Sequence, residues 1–410
     1  MPEQGNERSW IPELDGLRVL MIFLVSWYHI WQQSWLSPTV GNFSFDYLLR
    51  SGYIWVDGTV LLSAFLLYRP YARARRTGGS LPDPRAFYRR RARKVLPGYY
   101  FLLLVTLLGI CLPWRLYDSP QFLVKDLFTH LTFTFPFFYD TYQLTQLGGA
   151  CWTLAIEVQA YLLFPWIARA SLKRPFRTAG ILLGLCAGFR IWCLWSLKDF
   201  SMVVNQLINF LDVYVLGCFL AELYETLADR RPLPGWTRWA ALGVFVLACW
   251  GLNGMLHVQA ASSRYTEYQG VAGWIARLLN MGPNTSGYPV IQRNQMIYRP
   301  VYAVLFGAMM LSAPFGIKPL RKLLGNRVTR FLSGISMNYY LLHPLIIVHM
   351  RRLGFPPSLS ENPNQAMEQP WQTQYTLLAF ALSFLAAAAV TYLVEKPVQR
   401  WMDRQKKILP

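Results

Sequence analysis

Residues Leu14–Leu36 read LDGLRVLMIFLVSWYHIWQQSWL, and only Asp15, Arg18 and His29 in that run are ionisable near neutral pH. A helix needs about 20 mainly apolar residues to cross a hydrocarbon core about 30 Å thick, so the segment reads as a membrane span. Arg18 and His29 have ten residues between them. That spacing is about three helical turns, which puts both on one face, about 16 Å apart along the axis. With Arg18 at the membrane edge, His29 lies near the bilayer centre, where an ionisable side chain is a functional candidate by default. The plainer alternative is a snorkelling arginine and a histidine satisfied by a neighbouring helix.

Composition extends the reading to the whole chain. Of 410 residues, 54% are hydrophobic and 15% charged, against about 25% charged in soluble domains. Ten spans are predicted, at 17–36, 53–71, 95–113, 150–168, 179–197, 206–224, 239–256, 297–314, 331–350 and 375–394. The expected fold is an all-α polytopic membrane bundle with both termini cytoplasmic. The segments then facing inward hold 29 of the 40 Lys and Arg, and those facing outward 10, the bias that sets orientation. The net charge of +19 is therefore concentrated beside spans, which argues against a nucleic-acid-binding face. The N-terminus lacks the pattern of a cleaved secretory signal. Six cysteines form no C-x-x-C pair, so no metal site is expected; a Cys111–Cys151 disulfide is a weak possibility. The stretch from His257 to Gln295 is expected as a long outer loop.

Polar residues cluster in three places. Arg89, Arg90, Arg91, Arg93 and Lys94 precede the third span, either as a phosphate clamp or as an ordinary positive-inside anchor. Asp57, Glu157, Asp212, Glu222 and Glu395 lie in or at the ends of spans. His29, Glu157 and His343 fall at similar depths on three helices, and such convergence is how a bundle builds a site. Pairing of Arg190 with Asp212 or Glu157 would serve packing alone.

These residues sit in motifs that resemble the acyltransferase-3 family of integral membrane O-acyltransferases, nearly end to end. PELDGLR followed by His29 is similar to that family's first-helix signature of a basic residue, ten residues and a histidine. VDGTVLLSAFLL (56–67) resembles its second-helix pattern, with Ala64 where glycine is usual. FYRRRARKVLP, CWTLAIEVQAYLLFP, SGISMNYYLLHPLII and YLVEKPVQRW resemble four further motifs in the family's order. In the basic motif, Lys94 replaces the usual last arginine, and lysine binds phosphate as a point charge rather than as a fork.

The resemblance implies an enzyme that moves an acyl group, most often acetyl, from cytoplasmic acyl-CoA to a hydroxyl of an extracytoplasmic carbohydrate, glycolipid or cell-envelope acceptor. It implies His29 as base with Glu157 or His343 as orienter, and Arg18, Arg90, Arg91, Arg93 and Lys94 as donor-binding residues. Asp15, Asp57, Ser63, Tyr161, Tyr340 and Glu395 are supporting; Ser63 as an acyl relay is weaker than Ser63 as a packing residue. No tightly bound cofactor is expected. The chain is read as one stand-alone membrane domain, 1–410, without the family's SGNH-type extension, in the plasma or inner membrane. A separate extracytoplasmic enzyme would then be a possible acyl-accepting partner. The rival function is a proton-coupled anion transporter, for which the chain shows no inverted repeat.

Overall fold

Apolar runs of this length can satisfy their backbone in lipid only as helices, and the computed structural model describes residues 10–148, 151–262, 274 and 290–405 in that form. Among the described residues ten helices exceed 18 residues: α1 (Pro12–Ser34), α2 (Trp55–Thr77), α3 (Pro84–Thr106), α4 (Trp152–Lys173), α5 (Pro175–Ser196), α6 (Leu211–Asp229), α7 (Thr237–Ser262), α8 (Ile291–Ser312), α9 (Arg327–Arg352) and α10 (Trp371–Val390). Eight of these lie in segments long and apolar enough to cross a membrane by composition alone. The other two, α2 and α4, carry Asp57, Ser63, Glu157 and Tyr161. They can hold those groups because α2 packs against α1, α4, α6 and α8, inside the bundle rather than against lipid. The protein is a multi-pass helical membrane bundle.

Local chemistry sets the helix boundaries. Pro84 opens α3 and the Asp83 carboxylate caps it by accepting from the Ala86 N–H. Asn326 and Thr329 form a reciprocal capping box at the start of α9, satisfying two otherwise orphaned groups. The α7 helix runs to Ser262, past the predicted span end at 256, so the first part of the expected outer loop is helical. Most of the rest of that loop lies outside the described residues. A π-helical turn, Thr391–Glu395, follows α10 before a short helix, Lys396–Gln405.

Close packing in the middle of the bundle depends on small residues. A Cβ on Gly217 of α6 would stand 2.5 Å from the Ala64 Cβ of α2, well inside van der Waals contact. Ala64 is thus accommodated because its facing position is glycine. Both ends of the described chain lie at one end of the bundle, hereafter the terminal end, each tied to other helices: Arg321 Nε donates to Glu13 at 2.7 Å, and Arg93 pairs with Asp403. All six cysteines are free thiols, so Cys111 and Cys151 are not bridged; the Cys111 thiol donates to the Gln146 carbonyl instead.

Candidate active site

His29 and His343 form the centre of the site. His343 is fully buried on α9, and its Nδ1 lies 3.0 Å from the Tyr339 carbonyl one turn earlier. A carbonyl only accepts, so Nδ1 of His343 carries the hydrogen and Nε2 presents a lone pair. That Nε2 stands 2.8 Å from Nδ1 of His29, which must therefore donate. In the neutral ring this leaves Nε2 of His29 as the unprotonated nitrogen. A backbone carbonyl thus determines the tautomer of His29 through His343, in the manner by which a buried partner orients a general base. The ring planes are 18° apart with centroids 5.1 Å apart.

Two cavities lie on either side of Tyr340: an outer one, farther from the terminal end and lined by His29, and an inner one, nearer that end and lined by neither histidine. The outer one, about 350 Å³, is lined by Tyr28, His29, Gln32, Trp152, Gln295 and Tyr340 among others. The inner one, about 140 Å³, is lined by Arg18, Ser63, Arg91, Lys94, Glu157 and Tyr340 among others. Tyr340 borders both. Its hydroxyl accepts from Thr153 Oγ1 at 2.7 Å, so a phenol on α9 and a hydroxyl on α4 together form the partition.

The inner cavity is electrostatically mixed. Tyr161 donates to the Glu157 carboxylate at 2.7 Å. Arg91 lies over the rings of Phe87 and Tyr161, at 5.5 and 5.4 Å. Arg18 donates to Ser333 Oγ at 3.0 Å, and Ser333 donates to Asp15 at 2.7 Å. Arg18 is thus held by a hydroxyl relay, with the Asp15 carboxylate 3.8 Å away. The π turn after α10 carries Glu395 to Asn338 of α9, which donates to it at 2.6 Å, while Gln399 donates at 2.9 Å. Asn338 lies against Gly98 of α3, where an added Cβ would collide with its amide; α3, α9 and the end of α10 are thereby locked behind Lys94.

The sequence-predicted residues separate into groups that depth alone did not resolve. His29 and His343 come together, whereas Glu157 faces the inner cavity with Tyr161. Of the basic run, Arg91 and Lys94 line the cavity, Arg93 is engaged by Asp403, and Arg89 and Arg90 are exposed. Asp57 is buried away from both cavities in an ion pair with Arg299 of α8, at 3.3 Å. The Arg299 guanidinium also lies 3.8 Å over the Phe210 ring and donates to the carbonyls of Val204 and Asn209. Arg190 pairs with Asp212, not Glu157, through both terminal nitrogens at 2.8 and 2.9 Å. Thr153, Ser333, Asn338 and Arg299 escaped the sequence reading; Thr153, Ser333 and Asn338 lie inside quoted motifs, but nothing in spacing marks them as partners.

Comparison with known proteins adds an independent line. A family model described as an acyltransferase domain matches residues 11–394. An O-acetyltransferase OatA of Staphylococcus aureus (strain NCTC 8325 / PS 47) is 25% identical over 250 residues, covering 56% of this chain and 38% of that protein. The peptidoglycan O-acetyltransferase OatA of Listeria monocytogenes serovar 1/2a is 26% identical over 199 residues, covering 45% and 29%. A putative peptidoglycan O-acetyltransferase, YrhL, of Bacillus subtilis (strain 168) is 28% identical over 207 residues, covering 48% and 30%. The matched part is about a third of the length of these curated relatives. No solved structure matches.

Proposed function

The chain belongs to the acyltransferase-3 family, and from that premise we propose that it transfers an acyl group, acetyl in the first instance, from acyl-CoA to a carbohydrate hydroxyl of the cell envelope. The observation that carries this reading is the His29–His343 pair, whose His29 lines a polar cavity uncharged but for it and Arg50, with a basic cavity on the other side of Tyr340. In it, the Lys- and Arg-rich terminal end faces the cytoplasm, and the membrane is the plasma or inner membrane. Acyl-CoA enters there, drawn by Arg18, Arg91 and Lys94, and places its thioester at Tyr340. The acceptor enters the outer cavity. Nε2 of His29 takes the hydroxyl proton as the oxygen attacks the thioester carbonyl. The tetrahedral intermediate then collapses with cleavage of the C–S bond, and the proton passes from His29 to the leaving thiolate, giving the ester and free CoA. A thioester is already activated, so a positioned base and a donor to the oxyanion suffice.

Peptidoglycan is named for two of the relatives, and we extend to this chain the coarser class, an envelope glycan. The test is purified protein in detergent with acetyl-CoA and a soluble glycan oligomer, following CoA release and product mass. His29→Ala abolishes transfer while acetyl-CoA still binds. Full turnover by that variant removes His29 from the role of base.

A further inference from the structure

Arg69, Arg73, Arg75 and Arg76 emerge together at the terminal end of α2. Three of them are matched by carboxylates of α6. Arg69 donates to Glu225 at 2.5 Å, Arg75 to Glu222 at 2.6 Å and Arg76 to Asp229 at 2.6 Å. Arg73 has no carboxylate at ion-pair distance among the described residues. Its side chain instead lines a hollow of about 430 Å³ bordered by Leu66, Arg69, Thr77, Gly79 and Ser80. Gly78, the C-cap of α2, has φ of 64°, a left-handed conformation that glycine adopts without strain. It folds the chain back so that Gly79 and Ser80 close the hollow.

The hollow lies beside the inner cavity. Leu66 borders both. Thr59, Leu62, Ser63 and Leu66 line the inner cavity, and Leu66, Arg69, Pro70, Arg73 and Thr77 line the hollow. Steps of three and four residues place all of them on one face of α2. From Thr59 to Arg73 is about 21 Å along the axis, the scale of an extended pantetheine arm with its diphosphate. A guanidinium left unmatched at the far end of such a track is suited to fork onto phosphate oxygens.

We propose that this hollow is the subsite for the phosphate-bearing nucleotide of acyl-CoA, with Arg73 as its phosphate ligand. The inference rests on the acyl-CoA reading above. An anionic lipid headgroup offers the same phosphate chemistry, and the experiment separates the two sources. Purified protein in neutral detergent is assayed with acetyl-CoA, with its 3′-dephospho form and with S-acetylpantetheine, which has no phosphate. Arg73→Gln raises KM for acetyl-CoA about tenfold with kcat little changed, does not move KM for S-acetylpantetheine, and leaves the thermal midpoint at the wild-type value. Arg73→Lys restores part of the loss. An unchanged KM for acetyl-CoA, an equal loss on S-acetylpantetheine, or an effect seen only after addition of phosphatidylglycerol vesicles overturns the assignment. A wild-type protein that uses no CoA thioester overturns the parent reading as well; an active wild type with an indifferent Arg73→Gln overturns the subsite alone.

Discussion

Replacing His343 with alanine tests the tautomer relay directly. The substitution removes the acceptor 2.8 Å from Nδ1 of His29 and leaves that N–H facing the space of a fully buried side chain. An orphaned buried donor costs about 1–3 kcal/mol. The cost falls on catalysis because the Nδ1–H bond strengthens as His29 gains its proton in the transition state. At about 1.4 kcal/mol per tenfold, kcat drops about 5- to 150-fold, with KM for the donor unchanged because the inner cavity is untouched. His29→Ala removes the proposed base itself, for which a loss of about 10²–10⁴-fold is expected. The assay is CoA release in detergent, alongside a thermal midpoint to confirm that each variant is folded. The decisive comparison is the double variant. If His343 acts only through His29, the pair falls no further than His29→Ala alone. Losses that multiply mean that the two histidines act independently, and the relay is then wrong. His343→Gln, whose amide oxygen accepts, recovers part of the rate.

Three further outcomes follow from the packing. Asp57→Ala strands Arg299 in the core and destabilises the protein by about 3–5 kcal/mol, read as a lowered thermal midpoint; the double variant Asp57→Leu with Arg299→Met regains much of it, and a double variant as unstable as the single would refute the stranded-charge account. Gly217→Val forces α2 and α6 apart and costs about 1–3 kcal/mol; Ala64→Gly in the same chain relieves some of that, and additive losses would mean that the two sites do not touch. The Glu368 carboxyl is held below the ordinary range by the Ser360 hydroxyl and the N–H groups of Leu359 and Ser360. Its contribution is therefore full above the unfolded value of about 4.3 and fades as pH falls through the lower folded value. Hydrogen exchange of the 359–360 amides, corrected for intrinsic rate, shows this loss in the wild type and no such pH step in Glu368→Gln.

Much of the architecture was legible because lipid leaves a chain few options. Hydropathy and length located the long helices, and α2 and α4, which deviate from pure apolarity, turn their polar groups Asp57, Ser63, Glu157 and Tyr161 into the bundle. The Arg18–His29 spacing was legible for the same reason, since a helix converts sequence separation into depth. Azimuth was not. His29, Glu157 and His343 sit at comparable depths, yet helix rotation set by packing turns Glu157, with Tyr161 one turn along the same helix, toward the inner cavity and leaves the two histidines together. Pairings between distant segments were equally hidden: Asp57 and Arg299 are 242 positions apart, and no local pattern couples them. In sequence Arg73 is one of four arginines between positions 69 and 76. Only the docking of α6 against α2, which neutralises its three neighbours, distinguishes it.

The partition at Tyr340 has an electrical consequence. A membrane potential falls across whatever insulates, and once water fills the two cavities little insulation separates them beyond one phenol and the Thr153 hydroxyl bonded to it. A potential of 100 mV, worth about 2.3 kcal/mol for each charge carried across the bilayer, is then compressed into the few ångströms where, in the proposed mechanism, the proton and the acyl group change hands. Small displacements of charge at that point are weighted like long ones elsewhere, so the energised state of the membrane becomes an input to the chemistry of this chain. Removing the Tyr340 ring would spread the field and join the two cavities, so that the thioester of the proposed donor would meet water from the outer one.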